Sequence, residues 1–178
     1  MTLADTLTDT ITIRPATPDD AQTLAALAIT VWLNTYAIVG IRPALANYVF
    51  STYTQDHFER LMHDARYALL VACQGEHLVG YAALDFDAAQ PAVPHTDIEL
   101  HTLYVLPRFT GQGIGKSLLN ACETRATERA GHCALWLSVN SQNHAALAFY
   151  NSRQFEQYGT LFFELDSVRY ENRILASA

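Results

Sequence analysis

A glycine-dense segment between an apolar run and a helical pattern constrains the fold more than any other feature of this sequence. Residues 107–117 read PRFTGQGIGKS, with glycine at the alternate positions Gly111, Gly113 and Gly115. Glycine lacks a Cβ atom, so the backbone can turn sharply and its N–H groups can approach a ligand closely. A helix that begins directly after such a turn presents free N–H groups and the positive end of its dipole. The segment therefore predicts a strand, a tight turn able to hold an anion, and a helix.

Two known phosphate-binding motifs come close to this segment without matching it. The dinucleotide pattern G-x-G-x-x-G needs glycine at 116 or 118, where the chain has Lys116 and Leu118. The triphosphate loop G-x-x-x-x-G-K-[ST] needs glycine at 110, where the chain has Thr110. A nucleotide-binding protein is thus one alternative, which magnesium-dependent ATP binding would reveal. Glycines that serve only the packing of the turn are another.

Hydrophobic periodicity on both sides of the turn predicts a mixed α/β fold. Apolar and β-branched runs predict strands over 11–14, 67–73, 78–85, 98–106, 134–139, 160–166 and 168–175. Helical spacing predicts helices near 19–35, 55–65, 115–130 and 144–153. Residues 36–53, rich in Tyr, Pro and Asn, fit neither pattern, and 87–96 read as a loop. We therefore expect six or seven strands, about four helices and a central strand–helix–strand–helix unit.

Charge and length limit the partners and the organisation of the chain. Eleven Lys and Arg against eighteen Asp and Glu give a net charge of −7, so the chain lacks the field that draws proteins onto nucleic acid or anionic lipid. A length of 178 residues, half of them hydrophobic, predicts one domain over 11–178 behind a tail at 1–10. We find no apolar run long enough for a membrane span and no signal peptide in the first ten residues, and we expect a cytoplasmic protein.

The cysteines and histidines do not follow metal-binding patterns. Cys73, Cys122 and Cys133 are widely spaced and form no C-x-x-C pair, which predicts buried or half-buried thiols in a reducing compartment. His57 and His63 lie six residues apart on one predicted helix, a spacing that does not suit a metal. We expect no metal site.

Several motifs along the chain resemble the GCN5-related N-acetyltransferase (GNAT) family. They are the strand 99–105 with Pro107, the G-x-G-I-G turn at 111–115, and the run from Val139-Asn140 through Asn143 and Ala146 to Phe149-Tyr150. The first strand and the hairpin ending at Tyr81 are similar as well, so the resemblance covers residues 11–175. It implies a mixed, mostly antiparallel twisted sheet and an enzyme that uses acetyl-coenzyme A (acetyl-CoA). The aromatic residues of 32–58 resemble those of the polyamine acetyltransferase branch.

The chain departs from the family pattern at two positions. Thr110 stands where the family usually has Arg or Gln, and Gln154-Phe155 stands where it commonly has Gly-Phe. Backbone amides do most of the phosphate binding in such a turn, so we expect Thr110 to weaken it only slightly. We expect Gln154 to replace a left-handed glycine and to affect packing, not chemistry.

The reaction implied by the resemblance is attack of a primary amine on a thioester. An alkyl amine with a pKa of ~10.4 is almost fully protonated at pH 7, so the site needs a base. Glu99 matches the position of the base in many family members, and a surface carboxylate is its alternative role. Asp97 and His101 are neighbouring candidates, and His101 shares the face of Glu99 if the strand is regular.

The leaving thiolate needs a proton, and Tyr150 matches the usual acid of the family. A phenol, with an ordinary pKa of ~10, can donate to a thiolate at a modest energetic cost. The alternative is that Tyr150 anchors its helix to the sheet.

The resemblance also implies which residues bind the coenzyme. They are Leu103, Tyr104, Val105, Thr110, Gly111, Gln112, Gly113, Ile114, Gly115, Lys116 and Asn143. The first three would pair through their backbone with the pantetheine arm, as an added strand would. Lys116 either reaches a phosphate or is solvated, and Asn143 touches the coenzyme, caps a helix, or does both.

Aromatic residues and carboxylates suggest the acceptor. Trp32, Tyr36, Asp85 and Tyr170 are candidates for its pocket, because aromatic faces and carboxylates suit a cationic amine. The alternative is that Trp32 and Tyr36 belong to the core or to a homodimer face. We expect an N-acetyltransferase that acts by direct attack in a ternary complex on a small cationic amine such as a polyamine. A protein N-terminus or lysine is the alternative acceptor, and a non-catalytic coenzyme-binding module is the alternative of another class.

Overall fold

A computed structural model describes residues 10–178 of the chain, which form five α-helices and one sheet of seven strands. The strands are β1 (Ile11–Pro15), β2 (Tyr67–Gln74), β3 (His77–Asp85), β4 (Glu99–Val105), β5 (Trp136–Asn140), β6 (Glu156–Leu165) and β7 (Val168–Ala176). The helices are α1 (Ala21–Tyr36), α2 (Pro43–Thr52), α3 (Gln55–His63), α4 (Ile114–Ala130) and α5 (His144–Ser152). The predicted tail, 1–10, lies outside the described residues except for Thr10.

The sheet has the order β1-β2-β3-β4-β5-β7-β6. Its neighbouring strands are antiparallel except for β4 and β5, which are parallel. The resulting β4–α4–β5–α5 unit and the mostly antiparallel sheet confirm the predicted fold class.

The parallel pair separates almost as soon as it forms. Strands β4 and β5 are paired only at Glu99 and Trp136, next to a hydrogen bond of 3.0 Å from the Trp136 amide to the Ile98 carbonyl. Beyond that point β4 stays paired with β3 as far as Val105, and β5 stays paired with β7 as far as Asn140. A gap with its apex at Glu99 therefore opens between 100–105 and 137–140, and we call it the wedge.

Each face of the sheet carries its own hydrophobic core. Helices α4 and α5 cover the first face, where Leu118, Leu119 and Cys122 of α4 are fully buried. Helices α1 and α3 cover the second face, where Leu24 and Phe58 pack on β2 and β3. The helix predicted near 115–130 is thus confirmed as α4, and Gly131 ends it in the left-handed conformation, with φ 81°.

The structure corrects the sequence analysis mainly between α1 and α3. Residues 36–53 contain helix α2, which begins at Pro43 and buries Leu45 and Val49 against Trp32 of α1. Ten residues carry too few apolar positions for a helical pattern to stand out in the sequence. Among the cysteines, Cys73 and Cys122 are buried, but Cys133 is exposed, because it follows the end of α4 and precedes β5.

Gln154 adopts the left-handed backbone conformation that its place in the motif predicts. Its φ is 64°, in the left-handed region that favours glycine.

Within residues 10–178, no helix is both long and apolar enough to cross a membrane.

Candidate active site

The glycine turn leaves a row of backbone amides unpaired at the start of α4. Gly111 and Gly113 have φ values of 77° and 82°, and Gly113 is the N-cap residue of the helix. No amide of residues 111–116 donates to an acceptor in the described part of the chain, whereas the Ser117 amide bonds to the Gly113 carbonyl at 3.0 Å. A Cβ built on Gly111 or Gly113 meets nothing within 4 Å. The turn is therefore an open cradle of amide donors, which suits an anion.

The side chains around the cradle have separate tasks. The Thr110 hydroxyl donates to the Pro107 carbonyl at 2.9 Å, and the side-chain Nε2 of Gln112 donates to the Arg108 carbonyl at 3.2 Å, so both side chains brace the turn. Ile114 is only 3% exposed and belongs to the core.

Gly115 and Lys116 complete the first turn of α4. A Cβ on Gly115 would lie 3.7 Å from Cζ of Phe149, so this glycine lies close to α5. Lys116 is exposed, and no ion pair holds it among the described residues. Its ammonium group is therefore free to approach a ligand in the cradle.

The wedge side of β4 offers a second set of backbone groups. Leu103, Tyr104 and Val105 pair with Ala82, Tyr81 and Gly80 of β3. In the described structure no strand pairs with their other edge, because β5 has already diverged. Such an edge can pair with an extended ligand that enters as an added strand.

Asn143 lies beyond the end of β5, on the other side of the wedge, and caps α5. Its Oδ1 accepts a hydrogen bond of 3.1 Å from the Ala146 amide. The structure thus contains the predicted capping role, which is compatible with a contact to the coenzyme.

Tyr150 lies in an apolar environment near the end of α5. It is 7% exposed, and its ring centroid lies 5.2 Å from that of Phe149 and 5.4 Å from that of Phe155. Burial raises the pKa of Tyr150, and the nearby Cys122 and Tyr104 raise it further. The phenol therefore keeps its proton throughout the neutral pH range, as a general acid must before it acts.

Glu99 lies at the apex of the wedge in contact with His101. Its Oε2 is 3.4 Å from Nδ1 of His101, and this contact raises the pKa of the imidazole. Across the strand pair, Glu99 faces Asp85, whose carboxylate is paired with Nε of Arg66 at 3.1 Å. Asp97 is exposed and lies in the loop before β4, so His101 is the closer neighbour of Glu99.

The two predicted catalytic residues belong to different parts of the site. Tyr150 is on α5, which packs on the first face, and Glu99 begins β4 beside the residues that precede β2. No hydrogen bond, ion pair or ring contact joins them among the described residues. They lie on separate elements that border the wedge.

Three of the four predicted acceptor residues meet in one aromatic cluster. Trp32 stacks on Tyr36 at 4.5 Å, and Tyr36 meets Tyr170 edge-on at 5.4 Å. Trp32 is only 3% exposed, and its ring centroid also lies 4.7 Å from that of Tyr48, so it also fits its alternative role as a core residue. Asp85 is not in this cluster; it lies beside Glu99 and is engaged by Arg66.

The hydroxyl groups of Tyr53 and Tyr104, next to the wedge, were not predicted from the sequence. Burial raises the pKa of Tyr53, and it raises the pKa of Tyr104 to about 12. The Tyr104 ring lies 5.6 Å from that of Tyr81. The sequence signal for these residues was the density of tyrosines in 36–53, a segment that leads to the second face of the sheet.

The described part of the structure contains no candidate metal-binding site. Among residues 10–178, no group of three or more His, Cys, Asp or Glu side chains is placed to hold a metal ion.

The chain matches the model of one protein family and is similar to several known N-acetyltransferases. The model of the acetyltransferase (GNAT) family matches residues 29–155. An uncharacterized N-acetyltransferase of Mycobacterium tuberculosis is 30% identical over 153 residues, which cover 86% of this chain and 93% of that protein. The N-alpha-acetyltransferase RimI of the same species is 38% identical over 88 residues, 49% of this chain and 51% of that protein. The crystal structure of PaiA N-acetyltransferase from Thermoplasma acidophilum, in complex with coenzyme A, superposes with a TM-score of 0.76, at 23% identity over 94% of this chain and 98% of that one.

Proposed function

This chain belongs to the acetyltransferase (GNAT) family and is an acetyl-CoA-dependent N-acetyltransferase, and we propose that it acetylates a small cationic primary amine by direct attack in a ternary complex. The observation that carries the proposal is the open edge of β4 beside the cradle of unpaired backbone amides at 111–116. We further propose that residues 11–178 form one domain. We also propose a cytoplasmic location, which the free thiols of all three cysteines support.

The residues of the cradle and the wedge fit acetyl-CoA by their chemistry. The amides of residues 111–116 suit the pyrophosphate, since they are unpaired in the described structure and need no basic surface. Lys116 adds a point charge. The free edge of Leu103, Tyr104 and Val105 suits the amide groups of the pantetheine arm. Asn143 borders the same gap from the β5 side.

The cradle and Glu99 lie at opposite ends of β4. The cradle follows the carboxyl end of the strand, and Glu99 begins it at the apex of the wedge. The strand spans ~20 Å at its rise of ~3.3 Å per residue. A ligand anchored in the cradle and extended along the free edge therefore points its far end towards Glu99.

Three side chains supply the proton chemistry in this proposal. Acetyl-CoA brings an electrophilic thioester carbon and a sulfur leaving group. The Glu99–His101 pair accepts the proton that the acceptor ammonium must lose before it can attack. Tyr150 holds a proton at Oη, in a buried environment that keeps the phenol neutral, ready for the sulfur.

Charge and aromatic character support a cationic acceptor. The chain carries a net charge of −7, which attracts cations over long range. The aromatic cluster of Tyr36, Tyr48 and Tyr170 on the second face offers ring edges and hydroxyl groups. Glu99 adds a carboxylate at the apex.

A protein N-terminus is the second candidate acceptor, on a separate observation. The segment between α1 and α2 exposes Ile38, Val39 and Ile41, with exposures of 82%, 103% and 63%, and Phe50 on α2 is 70% exposed. Several large apolar side chains exposed within one short segment are typical of a surface that contacts a larger partner. The similarity of half of the chain to RimI points the same way. A panel containing polyamines, lysine and short peptides with free N-termini separates the two acceptor classes by kcat/KM.

The replacement Tyr150→Phe tests the enzymatic role against a pure binding role. It removes one hydroxyl and keeps the ring packing, so we expect acetyl-CoA affinity within about twofold and kcat reduced by about tenfold or more. Tyr158→Phe is the matched control, because Tyr158 is 42% exposed and lies on β6. If Tyr150→Phe turns over as fast as the control, the phenol is not the acid. If the wild type binds acetyl-CoA and acetylates no amine in the panel, the chain is a binding module.

A further inference from the structure

Two ionisable side chains meet at the start of β4 and differ in their exposure to solvent. His101 Nδ1 lies 3.4 Å from Glu99 Oε2. The His101 side chain is 47% exposed, whereas the Glu99 side chain is 17% exposed. The histidine is therefore the member of the pair that an acceptor can reach more directly.

A β-bulge gives His101 its position. Ala83 of β3 pairs with Thr102 and Leu84 pairs with Leu100, so no residue of β3 stands opposite His101. A bulged residue is released from the ladder, and bulges often redirect a side chain next to an active site. His101 is also only two residues beyond Glu99, where β4 and β5 part.

The elements packed around His101 carry both signs of charge. Besides Glu99, its ionisable neighbours are His57 on α3, Arg66 directly before β2, Tyr67 at the start of β2, and Asp85 on β3. Arg66 is occupied by Asp85 at 3.1 Å, so it neutralises that carboxylate and leaves the Glu99 carboxylate to the imidazole. The His101 pKa is raised, chiefly through the hydrogen bond to Glu99.

We propose that His101 is the general base that deprotonates the acceptor amine and that Glu99 is its positioning residue, an assignment that rests on the acetyltransferase function proposed above. With Nδ1–H donating to Glu99 Oε2, the lone pair on Nε2 is free. As the proton is transferred, the N–H bond of the ammonium breaks and its electron pair stays on the nitrogen. The proton goes to Nε2 and from there to solvent, while Glu99 stabilises the imidazolium.

An imidazole suits this step better than a carboxylate on energetic grounds. Proton transfer from an alkyl ammonium of pKa ~10.4 to a carboxylate of pKa ~4.3 is unfavourable by ~10⁶-fold. Transfer to an imidazole of pKa ~6.5 is unfavourable by only ~10⁴-fold. The contact with Glu99 narrows that gap further, since it raises the pKa of His101.

The test is the pH dependence of kcat/KM for the wild type, His101→Gln, Glu99→Gln and the control His77→Gln, with one acceptor amine throughout. His77 is exposed at the start of β3, far along the strand from Asp85. We expect His101→Gln to lower kcat/KM by ~10²-fold or more and to remove the acid limb of the profile. We expect Glu99→Gln to lower it by about tenfold and to move the acid limb to lower pH, because the carboxylate that supports the imidazolium is gone. The control should match the wild type.

The opposite pattern overturns the assignment. If His101→Gln keeps both its rate and its acid limb while Glu99→Gln loses them, the carboxylate is the base. An NMR titration of the His101 imidazole gives a readout that needs no turnover: its pKa should fall in Glu99→Gln, and an unchanged pKa refutes the pairing. A wild type that acetylates no amine refutes the proposed function instead, and the titration still decides the contact.

Discussion

The replacement Gly113→Ala separates the ligand-binding role of the glycine turn from its structural role. Gly113 caps the N-terminus of α4 with φ 82° and ψ −1°. Gly131 caps the C-terminus of the same helix with φ 81° and ψ 3°. A Cβ at either position meets no atom within 4 Å. The two glycines therefore differ mainly in what lies near them: Gly113 belongs to the amide cradle and Gly131 does not.

The structure predicts equal effects of the two replacements on stability. An alanine forced into the left-handed region costs ~1–2 kcal/mol, and the loss of chain entropy in the unfolded state offsets ~0.5 kcal/mol of this. Each variant should thus lose about 1 kcal/mol of the free energy of unfolding. For a chain of this size, that lowers the melting temperature by roughly 2–4 °C.

The two replacements should differ in coenzyme binding. In Gly113→Ala the new methyl group occupies open space within the cradle of unpaired amides. We therefore expect acetyl-CoA affinity to fall by about tenfold or more, equal to ~1.4 kcal/mol. At a ligand concentration of ~100 times the wild-type Kd, the stabilisation by ligand should drop from ~2.7 to ~1.4 kcal/mol. In Gly131→Ala it should stay at the wild-type value.

Thermal unfolding with and without acetyl-CoA, together with calorimetric titration, provides the measurement. Equal coenzyme affinities in Gly113→Ala and Gly131→Ala would refute the cradle as the anion site.

Two further replacements test local features of the fold. Asp20 accepts two hydrogen bonds from Arg14, at 2.7 and 2.9 Å, and they lower the pKa of Asp20 to about 2. Asp20→Asn should therefore lower the free energy of unfolding, measured in urea at neutral pH, by about 2 kcal/mol. Because the folded-state pKa is the lower one, this contribution is present above pH ~4 and should vanish as the pH falls through ~2; a constant difference across that range would contradict the ion pair. Gln154→Gly should raise the free energy of unfolding by up to ~1 kcal/mol, since φ at Gln154 is 64°; a loss of stability there would show that the Gln154 side chain makes contacts worth more than the strain.

Local chemistry explains why the glycine turn and the central unit could be predicted from the sequence. Gly111 and Gly113 adopt the left-handed conformation that the motif requires, and α4 buries the side chains that its periodicity points inward. Asn143 caps α5 as its residue type suggests. These features depend on residues close together in the chain.

Features set by long-range packing were harder to foresee. The wedge depends on where β4 and β5 stop pairing, which no local pattern encodes. Asp85 reads as a free carboxylate in the sequence, but Arg66, nineteen positions away, engages it. The bulge that presents His101 arises from the register with β3 and is likewise invisible in the sequence.

The most direct test of the central claim follows an isotopically labelled acetyl group from acetyl-CoA. In the presence of the wild-type chain and a panel of primary amines, the label should appear on the nitrogen of at least one acceptor, with one free coenzyme thiol released per acetyl group transferred. The claim that the wedge and the cradle form an N-acetyltransferase site is contradicted if the chain binds acetyl-CoA tightly and the label stays on the coenzyme with every amine offered.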